Sequence, residues 1–221
     1  MKIVVLLSLI FFITSCSVVT ENPSVADGIN YSSVKNVQPL TFEELDEEVN
    51  RLNPVIGMYP PRFSNEKHRE QVFVNWIELV DEAQRFHQQQ QEEKTFYMLT
   101  ELYRMGHNMQ VSGSGENALQ YLTDCLEMYP SSVACNFSAT YFYLTAGRYY
   151  LRDAEKSLDT LRAHYLPALN HEVESGFVFL YLFQQDSQKA KQQIEYFIDA
   201  FPESHQADEF AQIKKALAES P

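Results

Sequence analysis

Two serines stand three residues ahead of a lysine, Ser32 before Lys35 and Ser64 before Lys67, a spacing at which a lysine amine can draw the proton from an attacking hydroxyl. That chemistry also needs a downstream Lys-Thr-Gly element to hold the substrate, and neither serine is followed by one. Gly113-Ser114-Gly115 has no Lys-Ser or Lys-Thr after it, so it does not make a phosphate loop. His68, His87, His107, His164, His171 and His205 are scattered, with no two-turn pairing and no carboxylate at zinc-protease spacing. No catalytic residue, cofactor or metal is expected. Cys125 and Cys135 lie five residues before and five after Pro130, on helices that must run antiparallel across a tight turn. In an oxidising compartment their side chains can join and clamp two packing units together. The other reading is that both thiols are buried and inert, with Cys125 filling a packing position of its helix.

The compartment is read from the first sixteen residues. Met1-Lys2 supplies a short positive start, Ile3 to Ile13 an apolar run too short for a spanning helix, and Ile13-Thr14-Ser15-Cys16 a close. This resembles a bacterial lipoprotein signal, in which the cysteine after the small residues becomes the acylated N-terminus. The resemblance implies a signal peptide over 1–15, lipidation of Cys16, and, since Ser17 rather than Asp follows it, display at the outer membrane facing the periplasm. Acyl chains on one cysteine hold a protein to a bilayer without a membrane-crossing helix.

Composition narrows the partners. Among 221 residues, 17 Lys+Arg face 30 Asp+Glu, a formal charge of −13, and no basic cluster stands out. Phosphate backbones need such a cluster, so nucleic acid is excluded as a partner. Only 7 glycines accompany 45% hydrophobic residues, which favours an all-α body.

The elements follow in order. Residues 16–40 are Ser, Thr, Asn, Val, Gly and Asp without a period, a flexible linker. Thr41-Phe42-Glu43-Glu44 is a capping box opening an acidic helix to Leu52, stopped by Asn53-Pro54. Gly57 and Pro60-Pro61 make the remainder of 41–63 an extended connector lying on the helical body, and the sequence leaves open whether 42–63 also cover a groove as an autoinhibitory strap. From Ser64 a long helix places Phe73, Trp76, Val80, Ala83 and His87 on one face, with the sole tryptophan as a core anchor. Helices then follow from Glu93 to Gln110, from Glu116, over Ser132 to Ala146, Tyr149 to Tyr165, Asn170 to Gln184, Ser187 to Phe201, and Ser204 to Glu219.

Within that series a pattern recurs every 36 residues: Ala118, Ala154, Ala190; Leu122, Leu158, Ile194; Cys125, Leu161, Phe197; and Tyr129, Tyr165, Phe201. Pro130, Pro167 and Pro202 follow, the second one residue late. A small residue opening each helix lets a neighbour approach closely, and a helix hairpin of this size buries its apolar stripe only by stacking on the next. The pattern resembles the tetratricopeptide repeat, carried by Leu102, Gly106, Ala118, Leu122, Cys125 and Pro130 in the first unit. Ala139, Phe142, Ala154, Leu158 and Leu161 carry it in the second, and Phe177, Tyr181, Ala190, Ile194, Phe197 and Pro202 in the third. Met109 replaces the usual aromatic, Val178 the usual small residue, and two extra residues separate Gly147 from Ala154.

The resemblance implies a right-handed solenoid of helical hairpins over 64–221, ending in a capping helix, with a concave groove lined by the first helix of each pair. It puts Thr100, Tyr103, His107, Asn136, Thr140, Tyr143, Ser175 and Phe179 toward that groove, with no Lys or Arg among them to clamp a carboxylate. The alternative for Tyr103, Tyr143 and Phe179 is that they fill core between hairpins. The function implied is a non-catalytic, lipid-anchored scaffold that docks another envelope protein or peptide, in pilus, secretion or envelope assembly. Tyr129-Pro130-Ser131-Ser132 and Phe201-Pro202-Glu203-Ser204 also resemble the lipoprotein of the outer-membrane β-barrel assembly machine. A small periplasmic hydrolase is the reading from a different class.

Overall fold

Local chemistry sets where most of the helices begin in the computed structural model, which describes residues 39–219. Cys16, the leader, the linker to residue 38 and the Ser32/Lys35 pair lie outside the described residues. The first helix, α1 (Phe42–Ile56), starts on the expected capping box: the Glu44 amide donates to the Thr41 hydroxyl (3.2 Å) and the Thr41 amide to the Glu44 carboxylate (2.8 Å). Asn65 caps α2 (Glu66–Gln89), Ser132 caps α5 (Val133–Ala146), Asn170 caps α7 (His171–Gln184) and Asp186 caps α8 (Ser187–Ala200), each through a side-chain oxygen accepting first-turn amides. The others are α3 (Glu93–Asn108), α4 (Ser114–Met128), α6 (Leu151–Tyr165) and α9 (His205–Glu219). Among the described residues there are nine α-helices and no strand, and no helix long and apolar enough to cross a membrane.

The helices pack in sequential pairs, α1 on α2, α3 on α4, α5 on α6 and α7 on α8, and α9 closes against α8. The odd-numbered helices also meet one another, α1 with α3, α3 with α5 and α5 with α7, while no comparable contact joins the even-numbered ones. A two-layer stack whose layers are unequally spaced bends toward the tighter layer, so the odd helices form the inner row.

The periodic positions hold this stack together. Ala118, Ala154, Ala190, Leu122, Leu158, Ile194, Cys125, Leu161 and Phe197 are all 0% exposed. Each alanine offers only a methyl at the crossing, which lets the helix axes come close enough for the leucines beside it to interdigitate. Trp76 anchors the first pairs: its indole N–H donates to the Leu102 carbonyl (2.7 Å), and its ring presses against Gly106, where an added Cβ would come 2.4 Å from Cζ2. Gly176 plays the same part on α7, its missing Cβ leaving room for Leu158, so the small contact falls two residues before Val178.

Three expectations change. Pro54 does not stop α1, which continues to Ile56; the proline sits in the last turn on the exposed side, where the carbonyl it leaves without an amide partner faces water. The extra residues after Gly147 form a 3₁₀ turn, Arg148–Tyr150, whose Tyr150 stacks on Tyr143 at 5.7 Å. Finally, α1 is no separate appendage. Leu45, Val49, Leu52 and Ile56 are buried in one core with Trp76, Leu99 and Leu102, so α1 and α2 make a first hairpin and the body begins near residue 41. Because α1 stands in the inner row rather than across it, removing 42–63 is expected to expose that core and lower the melting temperature. Thermal denaturation of the truncated chain checks this.

Candidate protein-docking face

The inner row takes its surface from a stripe of α3 that its neighbours leave partly open. Tyr97, Glu101, Arg104 and Asn108 recur at helical spacing and are half-buried, while Thr100, Tyr103 and Gly106 between them are buried. Arg104 reaches Glu101 with Nε (3.1 Å) and Nη2 (2.6 Å), and its Nη1 donates to the Gly57 carbonyl at the end of α1. The Ser138 hydroxyl of α5 donates to the other Glu101 oxygen (2.7 Å), and Asn108 donates to the Ile56 carbonyl (3.0 Å). One arginine, one carboxylate and one hydroxyl thus tie three consecutive inner helices. On α5 the stripe continues with Tyr141, 55% exposed, and on α7 with the exposed Glu172. Burial, then the negative charge of Glu172, holds the Tyr141 hydroxyl above its ordinary pKa; burial, then Glu101, does the same for Tyr97.

This stripe lies about one residue away from the positions that the repeat resemblance placed in the groove. Tyr103 is buried, its hydroxyl accepting from the Gln84 amide (2.7 Å) and its ring stacked on Tyr121 at 5.6 Å. Asn136 is 2% exposed and donates to the Pro130 and Ser132 carbonyls (3.1 and 2.7 Å), closing the turn before α5. The Thr140 hydroxyl donates to the Asn136 carbonyl (2.9 Å), and Tyr143 is buried against Phe142 and Tyr150. Phe179 packs on Phe210 of α9 at 5.6 Å, and Ser175 is buried. These six side chains are spent on the fold, which corrects the groove assignment. His107 is exposed, beside Gly115 at the turn between α3 and α4. Where no basic residue was expected, Arg104 stands in the row, but all its arms are engaged within the fold.

Two further clusters were not visible in the sequence. Glu174, 1% exposed on α7, accepts both arms of Arg162 from α6, with Nε at 3.0 Å, and the Gln193 amide of α8 at 2.9 Å; the Arg162 guanidinium lies 3.6 Å from the Phe177 ring centre. This network joins the last two hairpins. His171 Nε2 lies 2.7 Å from Ser204 Oγ, a distance that suits a nucleophile and its base. That hydroxyl also accepts the Gln206 amide at the start of α9, the imidazole packs between Phe197 and Phe201, and among the described residues no carboxylate orients its other nitrogen. The pair is a helix cap locked by aromatic packing.

Cys125 and Cys135 are joined, with sulfurs 1.94 Å and Cα atoms 6.3 Å apart, inside a cluster with Phe96 and Tyr129. The bond links α4 to α5 and so fastens the second hairpin to the third. It closes a loop of sequence separation 10, for which unfolded-chain entropy gives a stabilisation of about 2–3 kcal/mol. Replacing both cysteines by alanine is expected to lower the urea midpoint accordingly, and reductant should move the parent but not the variant.

His87 sits in the neighbouring aromatic pocket, 4.5 Å from Phe96 and 5.4 Å from Tyr121, with Nδ1 3.0 Å from the Thr95 hydroxyl. Burial lowers its pKa, and the charge of Asp124 opposes that shift. An unfolded imidazole takes a proton near the ordinary value of 6.5, whereas the folded one resists it. Stability is therefore complete above that value and declines as pH falls through it toward the folded pKa. Melting temperatures between pH 7.5 and 5.5 should fall more steeply for the parent than for His87→Asn.

Comparison with family models, with curated proteins and with solved structures finds no match.

Proposed function

We propose that the chain is a non-catalytic binding scaffold of tetratricopeptide-repeat type, anchored by acylated Cys16 at the outer membrane and facing the periplasm, where it docks another envelope protein in pilus, secretion or envelope assembly. The observation that carries the reading is the inner row itself. Three inner helices, α1, α3 and α5, are pinned to one another through Glu101, Arg104 and Asn108, α7 packs beside α5, and Tyr141 stands open on the row. A rigid row needs little ordering when a partner segment lies down, and an exposed tyrosine gives contact area at low entropic cost.

A photoreactive phenylalanine analogue at position 141 of the full chain, irradiated in intact membranes, tests the docking. A crosslink to a secretin or pilus-assembly component is the expected outcome. A β-barrel assembly core protein would move the assignment to that machine. Crosslinking no stronger than from exposed Ala163 on α6 would overturn the docking face. The anchor has its own test: labelled palmitate should enter the parent and not Cys16→Ala.

A further inference from the structure

The inner row is not electrically neutral toward a ligand. Arg104, its central cation, has Nε and both terminal nitrogens committed to Glu101 and the Gly57 carbonyl. Glu101 is matched by Arg104 and by Ser138, so that pair cancels. Lys94, the other cation of the α3 stripe, is paired with Glu92 (3.2 Å) and lies 4.6 Å from the Phe42 ring centre. The solvent-facing acids of the row are Asp46 on α1, hydrogen-bonded to its own helix through Asn50 (3.2 Å), and Glu172 on α7, which forms no ion pair among the described residues. Between them the Tyr141 ring is more than half exposed. Burial raises both tyrosine hydroxyls of the row, with Glu101 and then Asp46 adding to it at Tyr97 and Glu172 at Tyr141, in each case against the opposing charge of Arg104.

We propose that this face selects a cationic segment of its partner, a stretch bearing lysine or arginine whose charged head settles on the Tyr141 ring beside the Glu172 carboxylate. The proposal rests on the docking role given above. A cation over an aromatic face gains from the ring quadrupole, and a neighbouring carboxylate adds a charge-assisted hydrogen bond. An acidic segment would meet Asp46 and Glu172, while Arg104 is engaged by Glu101 and the Gly57 carbonyl and Lys94 is already paired with Glu92. The wider field agrees, since a formal charge of −13 draws cationic partners in and slows anionic ones.

The test uses the full chain and three fluorescein-labelled probes: octa-lysine, octa-glutamate and a glycine-serine octamer, with binding followed by anisotropy. Octa-lysine should bind and the other two should not. Its affinity is expected to fall about threefold to fivefold in Glu172→Gln and again in Tyr141→Leu, which keeps the apolar bulk and loses the ring. Glu127→Gln on the exposed side of α4 serves as the charge control and should bind like the parent. Equal affinity in all three variants, or binding of octa-glutamate, overturns the proposal. If the crosslink at position 141 joins a partner through a neutral or acidic segment, the docking role survives and this inference falls. If octa-lysine discriminates among the variants while no partner crosslinks, the site stands and the scaffold role falls.

Discussion

Arg162→Ala is expected to cost about 3–5 kcal/mol, because it leaves a carboxylate that is 1% exposed without its counter-charge. The Gln193 amide would remain on Glu174, but one neutral donor does not replace a guanidinium engaging both oxygens. For a body of this size each kcal/mol moves the melting temperature by roughly 2–4 °C, so the variant should melt on the order of 10 °C lower. The cause is separable from lost packing over Phe177. Glu174→Ala with Arg162→Ala removes both charges, and this double variant should be more stable than Arg162→Ala alone. If the double variant is the weaker of the two, the arginine matters for its contact with the ring and not for the ion pair.

Ala154→Trp should be the most damaging exchange on α6. The alanine is 0% exposed and lies at the same repeat position as Ala118 and Ala190, where the helix is held against its neighbours. Overpacking a well-filled core costs about 1–3 kcal/mol for extra methylenes, and an indole far exceeds that volume. The third hairpin would have to separate from the helices on both sides, so a single cooperative transition should give way to a broad or split one. Ala163→Trp, on the exposed face of the same helix, should melt like the parent. Equal melting of the two tryptophan variants would mean that close alanine contacts do not hold the hairpins together.

Much of the helical order could be read from the chain because its punctuation is local. Thr41, Ser132 and Asn170, where helices are expected to open, cap them through oxygens only two or three residues from the amides they accept. Asn65 and Asp186 are the caps one residue from the expected starts Ser64 and Ser187. The alanine, leucine and cysteine positions on α4, α6 and α8 were equally legible, since those helices are polar on one side and their apolar stripes have a direction. The inner helices are different. α5 and α7 are buried on most sides, with Ser138, Thr140, Val173, Ser175 and Phe177 all inside, so no stripe says which side faces inward. Family spacing then placed the groove on Tyr103, Thr140 and Tyr143, about one residue from the open Arg104 and Tyr141 stripe, and a step of one residue turns a helix by roughly 100°. Arg162 and Glu174 gave no signal because an inter-hairpin turn separates them and each alone looks like a solvated charge. α1 was set apart because Gly57 and Pro60-Pro61 resemble a boundary, yet Leu45, Val49, Leu52 and Ile56 already stood at the spacing of a core face.

The chain enters the folded body under a two-point backbone grip. The Leu40 amide donates to Glu82 (2.9 Å) and the Leu40 carbonyl accepts from Arg85 (3.2 Å), two side chains of α2 that also bond each other at 2.7 Å. Any pull exerted through the residues before it is therefore delivered to the second helix as well as the first. The load is shared across the opening hairpin before it can peel α1 away from its neighbours. If the body is moored by its leading end, as proposed, its inner row stays assembled while it is tugged.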